Sequence, residues 1–131
     1  MQMIDNMLNK GIDKLTFKER QVIVDYFRML VKKEFENFKT RLIENNSKEK
    51  IFEKAYLIDT YDDIRNRLCG IGFLSIVDLL KYQKDNFIDY MYNKDVTCGI
   101  FDYYDTIEDE IIKEAVALRK QNESKYKQKV A

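Results

Sequence analysis

The sequence predicts an all-α, single-domain helical bundle of five to seven helices with one long spine helix, about residues 17–44. Three observations predict it. Apolar residues recur at helical spacing along nearly the whole 131-residue chain. The chain contains no proline, so no fixed φ or missing N–H interrupts a helix. Strand patterns are poor: the one candidate, Cys98-Gly99-Ile100-Phe101, is too short to support a sheet. The length suits one domain, and 45% hydrophobic against 35% charged residues can fill a core and still solvate a surface.

Met3, Ile4, Met7 and Leu8 give a short first helix that Gly11 stops. Thr16-Phe17-Lys18-Glu19 has the S/T-x-x-E form of a capping box. From there the pattern runs unbroken to Glu44, about 28 residues and roughly 42 Å of helix. Its stripe is Ile23, Phe27, Leu30, Phe38 and Leu42, widened by Val24, Val31 and Phe35. So long a helix is either the spine of a bundle or an arm reaching into a partner subunit, and a homodimer through it is one expectation. Ser47 caps the next segment, Ile51 to Ile58. The phase slips at Asp59-Thr60, where a kink or break is expected, and Tyr61, Ile64 and Leu68 restart it. Cys69-Gly70-Ile71-Gly72 reads as a turn in which the glycines permit positive φ. Helices are then expected over Leu74–Gln83 and Asp85–Tyr92, followed by a loop from Asn93 to Gly99. Thr106 caps the last helix, with Ile107, Ile111, Ala115 and Leu118 on its inner stripe. The domain is expected to span 1–121 and the lysine-rich residues 122–131 to fray.

Charge and the missing residue types exclude much chemistry. There is no His, which removes the usual general base, the commonest metal ligand and the Ser-His and Cys-His nucleophile pairs. The two cysteines, Cys69 and Cys98, cannot assemble a structural zinc site unaided. Neither a signal peptide nor an 18-residue apolar run is present, so a cytoplasmic protein with reduced thiols is expected. The 23 basic and 23 acidic residues cancel, which speaks against a generic polyanion binder. Gly70-x-Gly72 follows no strand and has no Lys-Ser/Thr after it, so it is not a phosphate loop. Asp62-Asp63 and Glu108-Asp109 read as first-turn acids that favour the helix dipole. A metal-assisted hydrolase built on the acids is a remote reading, and no cofactor or metal is expected.

One stretch stands out. Residues 82–110 hold Asp85, Asp89, Asp95, Asp102, Asp105, Glu108, Asp109 and Glu110 against Lys84 and Lys94. They also carry Tyr82, Phe87, Tyr90, Tyr92, Phe101, Tyr103 and Tyr104. Part of this set must serve the core and the caps. The functional reading is a recognition patch made of Tyr90, Tyr92, Asp95, Asp102, Tyr103, Tyr104 and Asp105. Tyrosines supply rigid contact area with a polar tip, and clustered carboxylates accept the guanidinium forks of a basic partner. The partner would be a protein with a basic surface, such as the nucleic-acid channel of another protein, where the acids stand in for phosphates. The alternative is a small nucleic-acid-binding regulator using the lysines of the long helix (Lys32-Lys33) or of the tail (Lys125, Lys127, Lys129).

Glu34-Phe35-Glu36-Asn37-Phe38-Lys39, the Lys48-Glu49-Lys50-Ile51 turn into Ala55-Tyr56, Asp62-Asp63-Ile64, Leu68, Leu79-Leu80, Asp85 and Phe87-Ile88-Asp89-Tyr90-Met91-Tyr92 form a further pattern. It resembles a family known only as domain of unknown function 3848, found in clostridial-type bacteria and their phages and mobile elements. The resemblance covers about residues 30–95. It departs at the end, where a Trp often follows the final Tyr and Asn93-Lys94 stands here. It implies a small helical accessory module without known catalytic residues. By analogy of size and style with phage anti-defence proteins, including anti-CRISPR inhibitors, it leads to the expectation of a non-enzymatic inhibitor of a host defence protein.

Overall fold

The computed structural model describes residues 2–94 and 107–130, with side chains for 3–94 and 108–124. Among these residues there are seven α-helices and no strand: α1 (Gln2–Leu8), α2 (Phe17–Asn45), α3 (Lys48–Glu53), α4 (Ala55–Leu68), α5 (Phe73–Tyr82), α6 (Phe87–Asn93) and α7 (Ile107–Val130). A 3-10 turn, Ile12–Lys14, links α1 to α2. Gly11 enters it at an ordinary φ of −59°, and Arg20 Nη2 pins it by donating to the Ile12 carbonyl at 2.8 Å.

The spine helix starts where its capping chemistry dictates. The Glu19 N–H donates to Thr16 Oγ1 at 3.1 Å, and Glu19 Oε1 accepts from the Thr16 N–H at 3.0 Å. Ile23, Phe27, Val31, Phe35 and Leu42 are buried along α2, while Val24, Leu30 and Phe38 pack against the core from its edge. Each fully buried side chain of this size contributes about 1.5–3 kcal/mol. The helix therefore acts as the spine: α1, α3, α4, α5 and α6 all rest on it. Phe27 meets Phe87 of α6 with ring centroids 4.9 Å apart, which ties the middle of the spine to a helix sixty residues later in sequence.

α5 is the innermost helix, with every residue from Ser75 to Leu80 buried. A helix apolar nearly all round must be covered on several sides. Here α2 and α1 cover it on one side, and α7, its most extensive neighbour, on another. Ile111, Ala115 and Leu118 form the buried stripe of α7. Its helical backbone continues to Val130.

Three expectations are corrected. The break falls at Lys54, not at Asp59-Thr60. α4 runs through Thr60, whose hydroxyl donates to the Tyr56 carbonyl at 2.9 Å inside the helix instead of capping a new one. The misleading phase came from α3, which buries nothing, and from the start of α4: Phe52 is 84% and Tyr56 70% exposed. Asp62 and Asp63 consequently sit in mid-helix, paired with Arg65 and Arg67, and not in a first turn. Neither Gly70 nor Gly72 uses positive φ. Gly70 serves close approach instead, since a Cβ there would lie 3.1 Å from Glu108 Oε1 at the start of α7. Among the described residues the left-handed ones are Lys84 (φ 75°) and Asn86 (φ 52°), which turn the chain from α5 into α6.

Candidate acidic–aromatic groove

Asn86 precedes α6 and would ordinarily cap it, but its left-handed backbone leaves the side chain without a capping bond. The N-terminal amides of α6 point instead at Glu34 on the spine. Glu34 Oε1 accepts from the Ile88 N–H and Oε2 from the Asp89 N–H, both at 2.9 Å. Partial burial pushes the Glu34 carboxyl up from its ordinary value, the two N–H donors oppose that, and the Asp89 and Asp85 carboxylates add to the rise.

Beside this cap, Tyr61 of α4 donates its hydroxyl to Asp89 Oδ1 at 2.8 Å. Its ring stacks on Phe38 at a centroid distance of 4.1 Å and 18° between planes, and tilts against Tyr92 at 5.0 Å. Burial, then the hydrogen bond to Asp89, raises the Tyr61 phenol well above its ordinary value. Tyr61 is therefore a fixed hydrogen-bond donor, not a titrating group. Together these residues border an open groove of about 470 Å³ between α2, α4 and α6. Phe38 and Tyr61 form its aromatic wall, Glu34 and Asp89 its acidic side, and Arg41, Asn45, Asn46 and Asn86 the polar rim.

Both oxygens of Glu34 are engaged with backbone amides and one oxygen of Asp89 with a phenol, so the carboxylates are held as acceptors. That arrangement suits recognition of a cation, by charge-assisted hydrogen bonds and by the aromatic faces, better than proton shuttling. Among the described residues no group of three Asp, Glu or Cys side chains is placed to hold a metal ion. No described helix is long and apolar enough to cross a membrane.

Of the seven residues expected to form the patch, Tyr90 and Tyr92 are described; Asp95, Asp102, Tyr103, Tyr104 and Asp105 lie outside the described residues, as does Cys98. Tyr90 and Tyr92 are both half-buried against the core. Two residues apart on a helix, they point about 200° apart. Tyr92 packs against the groove residue Tyr61 and does not itself line the groove. Tyr90 is raised by burial and by Glu114 of α7, with Lys94 Nζ 5.7 Å from its ring centroid. Sequence reasoning missed Glu34, Tyr61 and Asp89 as a unit. Glu34 has no local signal, because a lone carboxylate in mid-helix looks like a solvated face.

A different grouping lies on the other flank of α2. Arg28, Lys32 and Lys39 of the spine and Arg65 of α4 line a groove of about 290 Å³ with Phe35, Glu36 and the half-buried Cys69. Lys39 Nζ lies 4.8 Å and Arg65 Cζ 5.0 Å from the Phe35 ring centroid. Arg28 Nη2 donates to the Cys69 carbonyl at 3.3 Å. Lys32 is exposed as expected, but it belongs to this grouping.

No protein-family model, no curated protein and no solved structure matches the chain.

Proposed function

We propose that the protein is a non-enzymatic binding module that holds a basic segment of a partner protein through the acidic, tyrosine-bearing face around α6. The observation that carries this reading is the Glu34–Asp89–Tyr61 arrangement, with two fixed carboxylates beside a stacked aromatic wall in an open groove. An Arg or Lys side chain finds there the two things it needs: acceptors oriented by other bonds and a π-face. Asp95, Asp102 and Asp105 follow α6 in the sequence and add to the acidic character of that stretch of chain. In its fuller form the proposal is a phage or mobile-element accessory protein that occupies the basic nucleic-acid channel of a host defence enzyme, for example a CRISPR-Cas nuclease. That form extends the resemblance to the domain of unknown function 3848 family and would set carboxylates where a channel expects phosphates.

The test is calorimetric titration of the intact protein with an arginine-rich peptide and with its citrulline counterpart, followed by candidate nucleases. Binding of the first peptide and not the second is expected. Asp89→Lys, with Asp102→Lys and Asp105→Lys, should weaken it by tenfold or more, about 1.4 kcal/mol. Binding unchanged by all three reversals would show that the acidic face is not the contact surface.

A further inference from the structure

We propose that the basic groove on the opposite flank of α2 binds the phosphate backbone of a nucleic-acid strand, without reading its sequence. This goes beyond the acidic groove and rests on different residues. Arg28, Lys32 and Lys39 stand four and seven residues apart on one side of the spine, and Arg65 reaches the same groove from α4. Eleven helical residues separate Arg28 from Lys39, which sets the row at about 16 Å. A row of that length suits consecutive phosphates of a polymer rather than one small anion.

The means by which the cations are held supports the same conclusion. Lys39 and Arg65 lie over the ring of Phe35, whose quadrupole attracts them without neutralising them. Arg28 is oriented by a carbonyl, again a neutral partner. Lys32 has no ion-pair partner among the described residues. Two acids reduce the charge: Glu36 lies 3.6 Å from Lys39, and Asp62 takes Nε and Nη2 of Arg65. The groove therefore offers about two net positive charges, those of Arg28 and Lys32.

Its lining also says what it does not bind. A protein-binding groove needs an accessible apolar anchor. Here the one aromatic residue, Phe35, is buried beneath the cations. Donors alone could reach only guanine edges, and reading a sequence takes acceptors as well; apart from Glu36 the charged side chains here only donate. What remains is backbone contact, which positions a strand and carries no sequence information.

The experiment uses the full chain with a fluorescent oligonucleotide of about 20 nucleotides, single-stranded and as a duplex, read by polarisation. Two phosphate contacts give a log–log salt slope of about −1.8 on a duplex, so affinity should fall about 12-fold between 50 and 200 mM salt. Lys32→Glu and, separately, Arg28→Gln should weaken binding and flatten the slope by about one each. Both side chains are exposed, and the circular dichroism of each variant checks that its helices are kept. Lys48→Glu makes the same charge change as Lys32→Glu at the α3 cap and should leave affinity unchanged. Three outcomes overturn the proposal: no binding at 50 mM salt; binding that Lys32→Glu and Arg28→Gln leave intact; or a polyglutamate peptide that binds at Lys32 while the oligonucleotides do not.

Discussion

Glu34 Oε1 accepts the Ile88 N–H at 2.9 Å across 54 residues of chain, so the spine helix caps α6 from outside. This bond joins fold and candidate site, because α6 carries Asp89, which in turn receives the Tyr61 hydroxyl. Replacing a capping side chain by Ala costs about 0.5–2 kcal/mol. Glu34→Ala is expected near the upper end, since two amides of α6 lose their partner at once. Glu34→Gln keeps one acceptor and should cost about half as much. Urea unfolding measures both, and hydrogen exchange should show the extra opening concentrated in the amides of α6. Protection lost evenly across the protein would argue against the cap.

The two carboxyls raised by burial give the stability curve a defined sign. Asp78 is 3% exposed, in the middle of α5, and desolvation raises its carboxyl despite Arg119 Nη1 at 3.5 Å from Oδ2. That distance makes an ion pair, but Oδ2 has no hydrogen bond. The Glu34 carboxyl is raised as well. A group whose folded value lies above its unfolded value adds stability that is fully present below the unfolded value and lost as pH rises through the folded one. The contributions of Asp78 and Glu34 are therefore lost as pH rises above the ordinary carboxylate range. Asp78→Asn should gain on the parent as pH rises above the ordinary carboxylate range, because the buried amide never has to ionise. Urea midpoints over that rise in pH check it; parallel curves for the two proteins would sink the idea.

Lys84 is held at φ 75° with its N–H on the Leu79 carbonyl at 2.9 Å, where α5 ends. A non-glycine residue there carries about 1–2 kcal/mol of steric cost. Lys84→Gly relieves that cost and loses some of the gain to a more flexible unfolded chain. A net stabilisation of about 0.5–1 kcal/mol is expected from denaturant unfolding. A destabilised variant would mean that the Lys84 side chain contributes more than its backbone costs.

Local chemistry was legible in the sequence, and long-range chemistry was not. The Thr16–Glu19 box, the Ser47 cap, the Ile23–Phe27–Leu42 stripe and the buried run of α5 all depend on residues within a few positions of each other. The Lys54 break was misplaced because the exposed Phe52 and Tyr56 mimic a buried stripe, and hydrophobicity alone does not report exposure. The Glu34 cap has no local signal, because Asn86 stands in the ordinary capping position and only its left-handed turn leaves it without a capping bond. Asp78 was different. A lone Asp between Val77 and Leu79 in α5 is a signal that the sequence reading left unused, and the structure pairs it with Arg119.

Tyr61 separates stability from recognition. Its ring packs on Phe38 and Tyr92, while its hydroxyl fixes Asp89. Tyr61→Phe keeps the ring and removes the bond, at a cost of about 0.5–1.5 kcal/mol, or more where an acceptor carries charge. Tyr61→Ala also removes a large buried ring and should cost about 3–5 kcal/mol, as Phe87→Ala should in the core. Phe52→Ala, at 84% exposure, should stay within about 0.5 kcal/mol of the parent. Thermal and urea unfolding rank the four variants. Tyr61→Phe should also weaken capture of an arginine-rich peptide, because Asp89 is no longer oriented. Phe52→Ala should not affect capture, because it lies outside the acidic groove. If Tyr61→Phe lowers stability as expected while peptide affinity stays at the parental value, the Tyr61–Asp89 bond belongs to the fold alone.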